Sequence, residues 1–499
     1  MTEQIKVSTI PLTLIETEGF VNTADFLADN LQIQRYYKIY KEGATFNLEN
    51  TEGKYIPTEL HYKIAATLIN KQARFLFAEP PDIVIEPGGN IGTLTEEGQE
   101  AIQGINNLVR AILDENNFEE ILIKAAKDCF IGKRVAGIVN FNEETGVTLS
   151  FIPSTQFIYQ TDSCNANLIT TFVYFKTIKY SPRTEETEVY KKKYTLEEGG
   201  VFVEEAVYTG SGQLKETILE KQLTALSVIP VAVFLNDGLT GDRDGESEIE
   251  LLEDFESLYS KLSNADTDSG RFNMNPIRYT VNMNENSTKN LPNRPGAYWD
   301  LHEDQNQDRG HAMVGTLENS MNYSDALKTT LDRIKTSAYE QVDMPNVSIE
   351  TMRGTITSGK SLKAIYWPLI VRSKEKMKVW APQIRRLMEV IIDGSYQYPN
   401  CITKYTAKPL TPIEYEVKVV QNHPLPEDEM DEMQVDLQNV EAKTMSKKAY
   451  MQKWRALTDE QVEEELNQIA RERAVIDDYV FQGEAAGGRK QEAAEEQRN

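Results

Sequence analysis

Apolar and polar positions follow more than one rhythm along this chain, and the switches between rhythms mark out its parts. Residues 1–20 keep no sustained period and read as an extended arm. Helical spacing begins at Thr23 and runs to Lys41, with Phe26, Leu27, Leu31, Ile33 and Tyr37 on one face. It returns from His61 to Phe77, where Pro80-Pro81 stop it, and Asp82–Glu86 reads as a strand. Ile102–Asp114 and Phe118–Phe130 form a helix pair around Glu115-Asn116-Asn117. After Gly132 the period drops to two. Strands are expected over 134–141, 147–153, 157–160, 168–180, 187–197, 200–209 and 228–237. Turn signals at Asn142–Gly146, Ser181-Pro182, Gly199-Gly200 and Gly210–Gly212 suit an antiparallel, partly solvated sheet.

The character changes at Leu239. Ser247 and Glu250 have the spacing of a capping box, and Ile249, Leu252, Phe255, Leu258/Tyr259 and Leu262 form a helical stripe opposite a strongly acidic face. Residues 271–320 are rich in Asn and Pro, with short strand candidates at 277–283, 297–301 and 311–317. Helical spacing resumes through Tyr323, Leu327, Leu331, Ile334 and Ala338, so two helices with narrow stripes bracket a small insert. A loop bearing Gly and Thr then leads into Ser358–Asp393, one helix of roughly 50 Å closed by Gly394 and bent at Pro368 and Pro382. Its apolar arc contains Leu369, Met377, Trp380, Ile384 and Leu387. Lys360, Lys363, Lys374, Lys378 and Arg385 lie on an adjacent basic arc. A strand at 413–421 follows, then helices at 429–443, 446–456 and 458–476, and a tail, 483–499, that should be disordered.

Charge sharpens this picture. The long helix holds 8 Lys/Arg against 3 Asp/Glu, inside a chain whose formal charge is −25. That total argues against tight, non-specific nucleic-acid binding by the whole surface, but not against a protein that DNA touches without sticking. The basic arc fits either a solvated face or a strip facing phosphates. No run is long and apolar enough to span a membrane, and the N-terminus has no secretory pattern. Cys129, Cys164 and Cys401 are far apart and read as reduced thiols in a cytosolic setting.

Gly354-Thr355-Ile356-Thr357-Ser358-Gly359-Lys360-Ser361 matches the phosphate-binding P-loop pattern letter for letter. The residues before it are too polar and too few for the central strand such a loop needs, and no βαβ alternation follows. A glycine hinge with a serine cap explains the same letters. Asp242-Arg243-Asp244-Gly245 resembles a calcium loop, but Thr240 and Leu251 fall where carboxylates are required. An acidic turn before a helix is the expected role. His61, His302, His311 and His423 show no metal spacing, although His302 and His311 share the insert. No cofactor motif and no catalytic constellation stands out.

The order of parts resembles the tailed-phage portal protein family, siphophage type. The likeness is carried by LINKQARFLFAEPPDIVIE, by LSFIPSTQFIYQTD and by the strand leading into the helix from residue 248. It is carried too by VDMPNVSIETMRGTITSGKSLK, similar to the family's loop and helix start, with Ser361 replacing a small apolar residue. The resemblance implies an α+β fold and a ring oligomer, by the family's pattern a dodecamer at one capsid vertex. By that analogy 1–240 with 396–424 form an antiparallel-sheet wing. Residues 241–270 and 321–342 are stem helices, 271–320 the clip, 343–357 the tunnel loop, 358–395 the long kinked helix and 425–482 an all-helical crown. It implies passage of double-stranded DNA without sequence specificity, and location in the virion, with assembly in the host cytoplasm. The implied partners are the terminase large subunit, head-completion or adaptor proteins, and the major capsid and scaffolding proteins. Asn346, Ser348, Glu350, Arg353 and Thr355 would then face DNA from the loop, and Lys360 and Lys363 from the helix start. The competing readings are a packaging ATPase acting through Gly354–Ser361 and a capsid interaction protein without a channel.

Overall fold

The computed structural model describes residues 10–47, 56–89, 95–179, 187–239, 244–274, 277–283, 311, 313–317, 322–347, 359–406, 410–423, 429–455, 461–469 and 471. The chain divides into two compact units, Met1–Ser348 with Ile365–Pro424, and Ile349–Ala364 with Leu425–Asn499.

Where an extended arm is expected, Leu12–Glu16 form a short helix, α1, because Leu14 and Ile15 bury against Phe26, Val173, Phe175 and Val189. The carboxylate of Glu18, nearly inaccessible, then pairs with Lys191 and Lys193 and ties this segment to the sheet. Helix α2 (Thr23–Glu42) is capped by the Asn22 side chain, which accepts from the Ala24 amide at 3.0 Å. It buries Phe26, Asn30, Ile33, Tyr36 and Ile39, leaving Leu27 and Leu31 of the expected stripe exposed. Helix α3 (Ile64–Phe77) and strand β1 (Asp82–Pro87) follow. Helix α4 (Glu96–Glu115) begins six residues before the expected start at Ile102. Its first turn is polar and invisible to an apolar period, yet Thr95 caps it and Glu96 and Glu97 favour its positive end. Helix α5 spans Phe118–Gly132.

Two antiparallel sheets come next. In the smaller, β2 (Arg134–Asn142) lies between β3 (Gly146–Pro153) and β9 (Val231–Leu235). The larger is a meander of β4 (Phe157–Thr161), β5 (Ile169–Lys179), β6 (Thr187–Glu197), β7 (Gly200–Thr209) and β8 (Leu214–Leu223). Strand β8 is absent from the sequence reading. Its sequence, LKETILEKQL, is exposed almost throughout and carries the charges of an edge strand, so no clean alternation marks it.

Helices α6 (Glu248–Met274) and α7 (Ser324–Glu340) pack together and flank a two-stranded ribbon, β10 (Ile277–Val281) with β11 (Met313–Leu317). The expected strand at 297–301 lies outside the described residues. Helix α6 reverses one expectation. Its buried face carries Glu256, Ser260, Ser263 and Asn264 beside Ile249 and Leu252, while Leu258 is exposed. Glu256, taken from the acidic side, accepts from the amides of Ala44 at 2.7 Å and Ala65 at 2.6 Å. The polar face is inside because the chain entering α3 needs acceptors there.

The long helix is assigned in two pieces, α8 (Gly359–Ile365) and α9 (Trp367–Gln397), interrupted at Tyr366. Pro368 is the second residue of α9, where its missing amide costs no helical bond, and Pro382 lies inside. Gly394 does not close the helix, which continues to Gln397. A Cβ on Gly394 would sit 2.1–2.7 Å from the Phe141 ring, so this glycine permits close packing rather than a stop. Trp380 is wholly buried, with ring centroids 5.0 Å from Phe77 and 4.6 Å from Phe234, where α3, β9 and α9 meet. Strand β12 (Tyr415–Val420) then pairs with β1.

In the second unit, besides α8, helices α10 (Glu429–Glu441) and α11 (Lys447–Arg455) pack together. Asp436 accepts from Lys453 Nζ and Trp454 Nε1, both at 2.9 Å. Residues 461–469 are helical.

Candidate functional site: a buried charge junction

Three segments of the first unit converge on two basic side chains of α9. The end of β9 supplies Asn236 and Asp237, the first turn of α6 supplies Glu248, and the end of α7 supplies Asp343. Arg372 donates from one terminal nitrogen to both oxygens of Glu248 at 3.0 Å. Its other terminal nitrogen lies 3.5 Å from Asp343. One turn on, Lys376 Nζ donates to Asn236 Oδ1 at 2.6 Å, Glu248 Oε1 at 2.7 Å and Asp237 at 2.9 Å. Its nitrogen also sits over the Phe130 ring, 4.5 Å from the centroid. Glu248 and Lys376 are buried (1% and 4% side-chain exposure), whereas Asp237 and Asp343 are about half exposed.

Local chemistry builds each contributor. The turn before α6 is held by Gly245 at φ +73°, where a Cβ would meet the Asn236 carbonyl at 2.6 Å. Ser247 caps α6, accepting from the Ile249 amide and donating to the Ile131 carbonyl at 2.7 Å. After α7 the chain leaves through a Schellman turn: the Met344 amide bonds Tyr339 O, and the Asp343 amide bonds Glu340 O. Asp343 holds the left-handed position, φ 52°, and Met344 buries at the same helix end as Tyr339. Asp237 is also left-handed, at φ 46°. Thus both half-exposed carboxylates sit on backbone conformations that L residues usually avoid.

Burial pushes the Glu248 carboxyl upward, but Lys376 and Arg372 outweigh it and hold the group at about 2. For Arg372, burial pulls down and the carboxylates of Glu248, Asp237 and Asp343 prevail, raising it. Three carboxylates against two cations form a joint among α6, α7, β9 and α9.

The structure sorts the sequence-derived candidates as follows. Asn346 donates from its amide to Thr336 Oγ1 at 3.2 Å. Ser348, Glu350, Arg353 and Thr355 lie outside the described residues, as does the stretch Gly354–Ser358 of the P-loop match. Gly359, Lys360 and Ser361 are the first residues of α8, and Lys363 on the same helix is exposed. Lys374, Lys378 and Arg385 are exposed on α9. Arg372 and Lys376 were missed as functional positions. The available signal was a lysine set between the apolar-arc residues Ile370, Met377 and Trp380. In the calcium-like turn, Asp244 pairs with the buried Arg134 at 2.9 Å, which also pairs with Asp29 at 3.2 Å. Among the described residues no group of His, Cys, Asp and Glu could hold a metal ion.

The arrangement of elements and joint can be set against known families. A model of phage portal proteins, SPP1 Gp6-like, matches residues 23–478. The chain belongs to the phage portal protein family. A comparison with curated proteins finds no match. As a portal protein the chain is part of the capsid vertex through which a phage genome is packaged, and portal proteins are structural channel proteins rather than enzymes. The joint lies at the N-terminal end of α6 and the C-terminal end of α7. No helix among the described residues is long and apolar enough to cross a membrane.

Proposed function

We propose that this portal chain closes into a homo-oligomeric ring, dodecameric by the family's pattern, whose channel passes double-stranded DNA during packaging, retention and ejection. The observation that carries the ring is a second seam on α6, on the side turned away from its own core. Leu251, Leu258 and Ala265 recur at intervals of seven residues, and all three are exposed, the two leucines at 39% and 47%. A strict seven-residue repeat is the signature of a helix that packs along a neighbouring helix. A stem helix of an adjacent copy supplies that neighbour. Repeated around a closed ring, such a heterologous contact leaves no unmatched seam.

The charge supports a conduit that does not bind DNA tightly. Each copy carries a formal −25, so a channel wall of average character repels phosphate. Exposed Lys363, together with Arg353 and Lys360, supplies sparse transient contacts. The insert at 271–320 receives the terminase large subunit during packaging and head-completion proteins afterwards. The wing meets capsid and scaffolding protein, and no nucleotide is hydrolysed by this chain.

The test is the double substitution Leu251→Lys/Leu258→Lys, examined by negative-stain microscopy and native mass spectrometry. Wild-type protein is expected to form rings. The variant is expected to be a folded, dispersed chain with unchanged far-ultraviolet circular dichroism. Intact rings from the variant, or a wild-type protein that stays monomeric at every salt concentration, overturn the proposal.

A further inference from the structure

One groove of the first unit shares no lining residue with the charge joint of α9. It has a volume of about 720 Å³ and runs between β1 and the facing ends of α4 and α5. Its floor is apolar, formed by Ile83, Val109, Leu113 and Phe118. Its rim is acidic: Asp82, Asp114 and Glu119 are exposed and form no ion pair among the described residues, against a single Arg110. Glu120 is also on the rim but is engaged by Lys124.

One wall is a strand edge. Along β1 the even-numbered residues bond across to β12, and the backbone groups of odd-numbered residues point the other way. At Ile85 that outward edge is satisfied by α4. Asn106 Oδ1 accepts from the Ile85 amide at 3.2 Å, and Asn106 Nδ2 donates to the Ile85 carbonyl at 2.9 Å. Two residues earlier nothing plays this role. The outward N–H and C=O of Ile83 face the groove without a partner among the described residues. The side-chain amide of Asn106 mimics one residue of an added strand, and the next place along the edge is open.

From these features we propose that the groove captures an extended, basic segment of another protein by strand addition to the outer edge of β1. Main-chain bonds to Ile83 give the register, alternate apolar side chains fill the floor, and the intervening Lys or Arg side chains meet Asp82, Asp114 and Glu119. Charge complementarity selects the partner class. A second copy of this chain, at −25, matches the acidic rim poorly, whereas a cationic segment is attracted to both rim and surface.

The experiment uses the full-length assembled protein and a fluorescein-labelled peptide of alternating Lys and Val, followed by fluorescence anisotropy. Comparison peptides are the Glu–Val analogue and the Lys–Val peptide N-methylated at alternate amides. The Lys–Val peptide is expected to bind in the micromolar range, with each comparison peptide at least about tenfold weaker. The variant Asp82→Lys/Asp114→Lys should lose about tenfold for the Lys–Val peptide. Asp82 is exposed at the start of β1, and a lysine near the end of α4 suits the helix dipole, so the fold is preserved. Equal binding by variant and wild type reduces the attraction to bulk charge and overturns the proposal. Equal binding of the N-methylated peptide overturns strand addition. Binding to dissociated chains but not to rings assigns the groove to a neighbouring copy and overturns the choice of partner.

Discussion

Replacing Glu248 with Gln removes one carboxylate from the joint and leaves Arg372 and Lys376 in place. At neutral pH the ionised Glu248 is held near 2 against its ordinary 4.5, which at 1.36 kcal/mol per pH unit corresponds to about 3 kcal/mol of folding stability. The same figure follows from removing one member of a buried ion pair, a loss of about 3–5 kcal/mol, taken at the low end because Asp237 and Asp343 still face the two cations. The sign of the pH dependence is fixed by the depressed folded-state value. The stabilisation is complete above the unfolded carboxyl's titration, near 4.5, and is lost as pH falls toward 2. The assay is urea unfolding at fixed chain concentration, since ring assembly adds to apparent stability. Trp299, Trp367 and Trp454 are replaced by Phe, so the signal comes from Trp380, one turn beyond Lys376 and wholly buried. Glu248→Gln should lower stability by about 3 kcal/mol at neutral pH and flatten its fall between about pH 5 and pH 2.5. The double variant Glu248→Gln/Lys376→Met should be less damaged than the sum of its parts, with coupling of about 1 kcal/mol or more. A loss under about 1 kcal/mol with an unchanged acid limb would refute the reasoning, because the joint would then be no tighter than a surface pair.

Two other positions give independent checks. Glu256→Gln sets an NH₂ donor against one of the two amides, Ala44 or Ala65, that its carboxylate now accepts from; stability should fall by about 1–3 kcal/mol, and hydrogen exchange at those amides should accelerate while α4 stays protected. Gly394→Ala forces a methyl group into the Phe141 ring, so about 1–3 kcal/mol should be lost, and the further change Phe141→Leu should restore part of it in thermal melts.

The sequence made element types legible wherever one face of a segment alone was apolar. It failed where burial was driven by backbone groups that needed acceptors. Strands β2 to β7 and helices α3 and α5 answer to their patterns, whereas α6 does not. Of its expected stripe Ile249 and Leu252 are buried but Leu258 is exposed, and Glu256 is buried, so a stripe that looked like a core face is divided between the core and an exposed side. A single-chain reading cannot separate those two sides, because both are apolar burial and only one is completed within the chain. The joint was hidden for a related reason. Arg372 and Lys376 belong to neither the apolar nor the basic set read from the sequence, and their role shows only once Asp237, Glu248 and Asp343 are brought to them from three distant segments. What could be read was the contradiction at Lys376, a lysine within an apolar arc. Buried charge is expensive, so that position required a carboxylate from elsewhere in the chain. The acidic residues that answer it lie at the ends of β9, α6 and α7. The charges too costly to bury singly are placed together where four elements meet, so each cation answers the desolvation of a carboxylate carried by a different element.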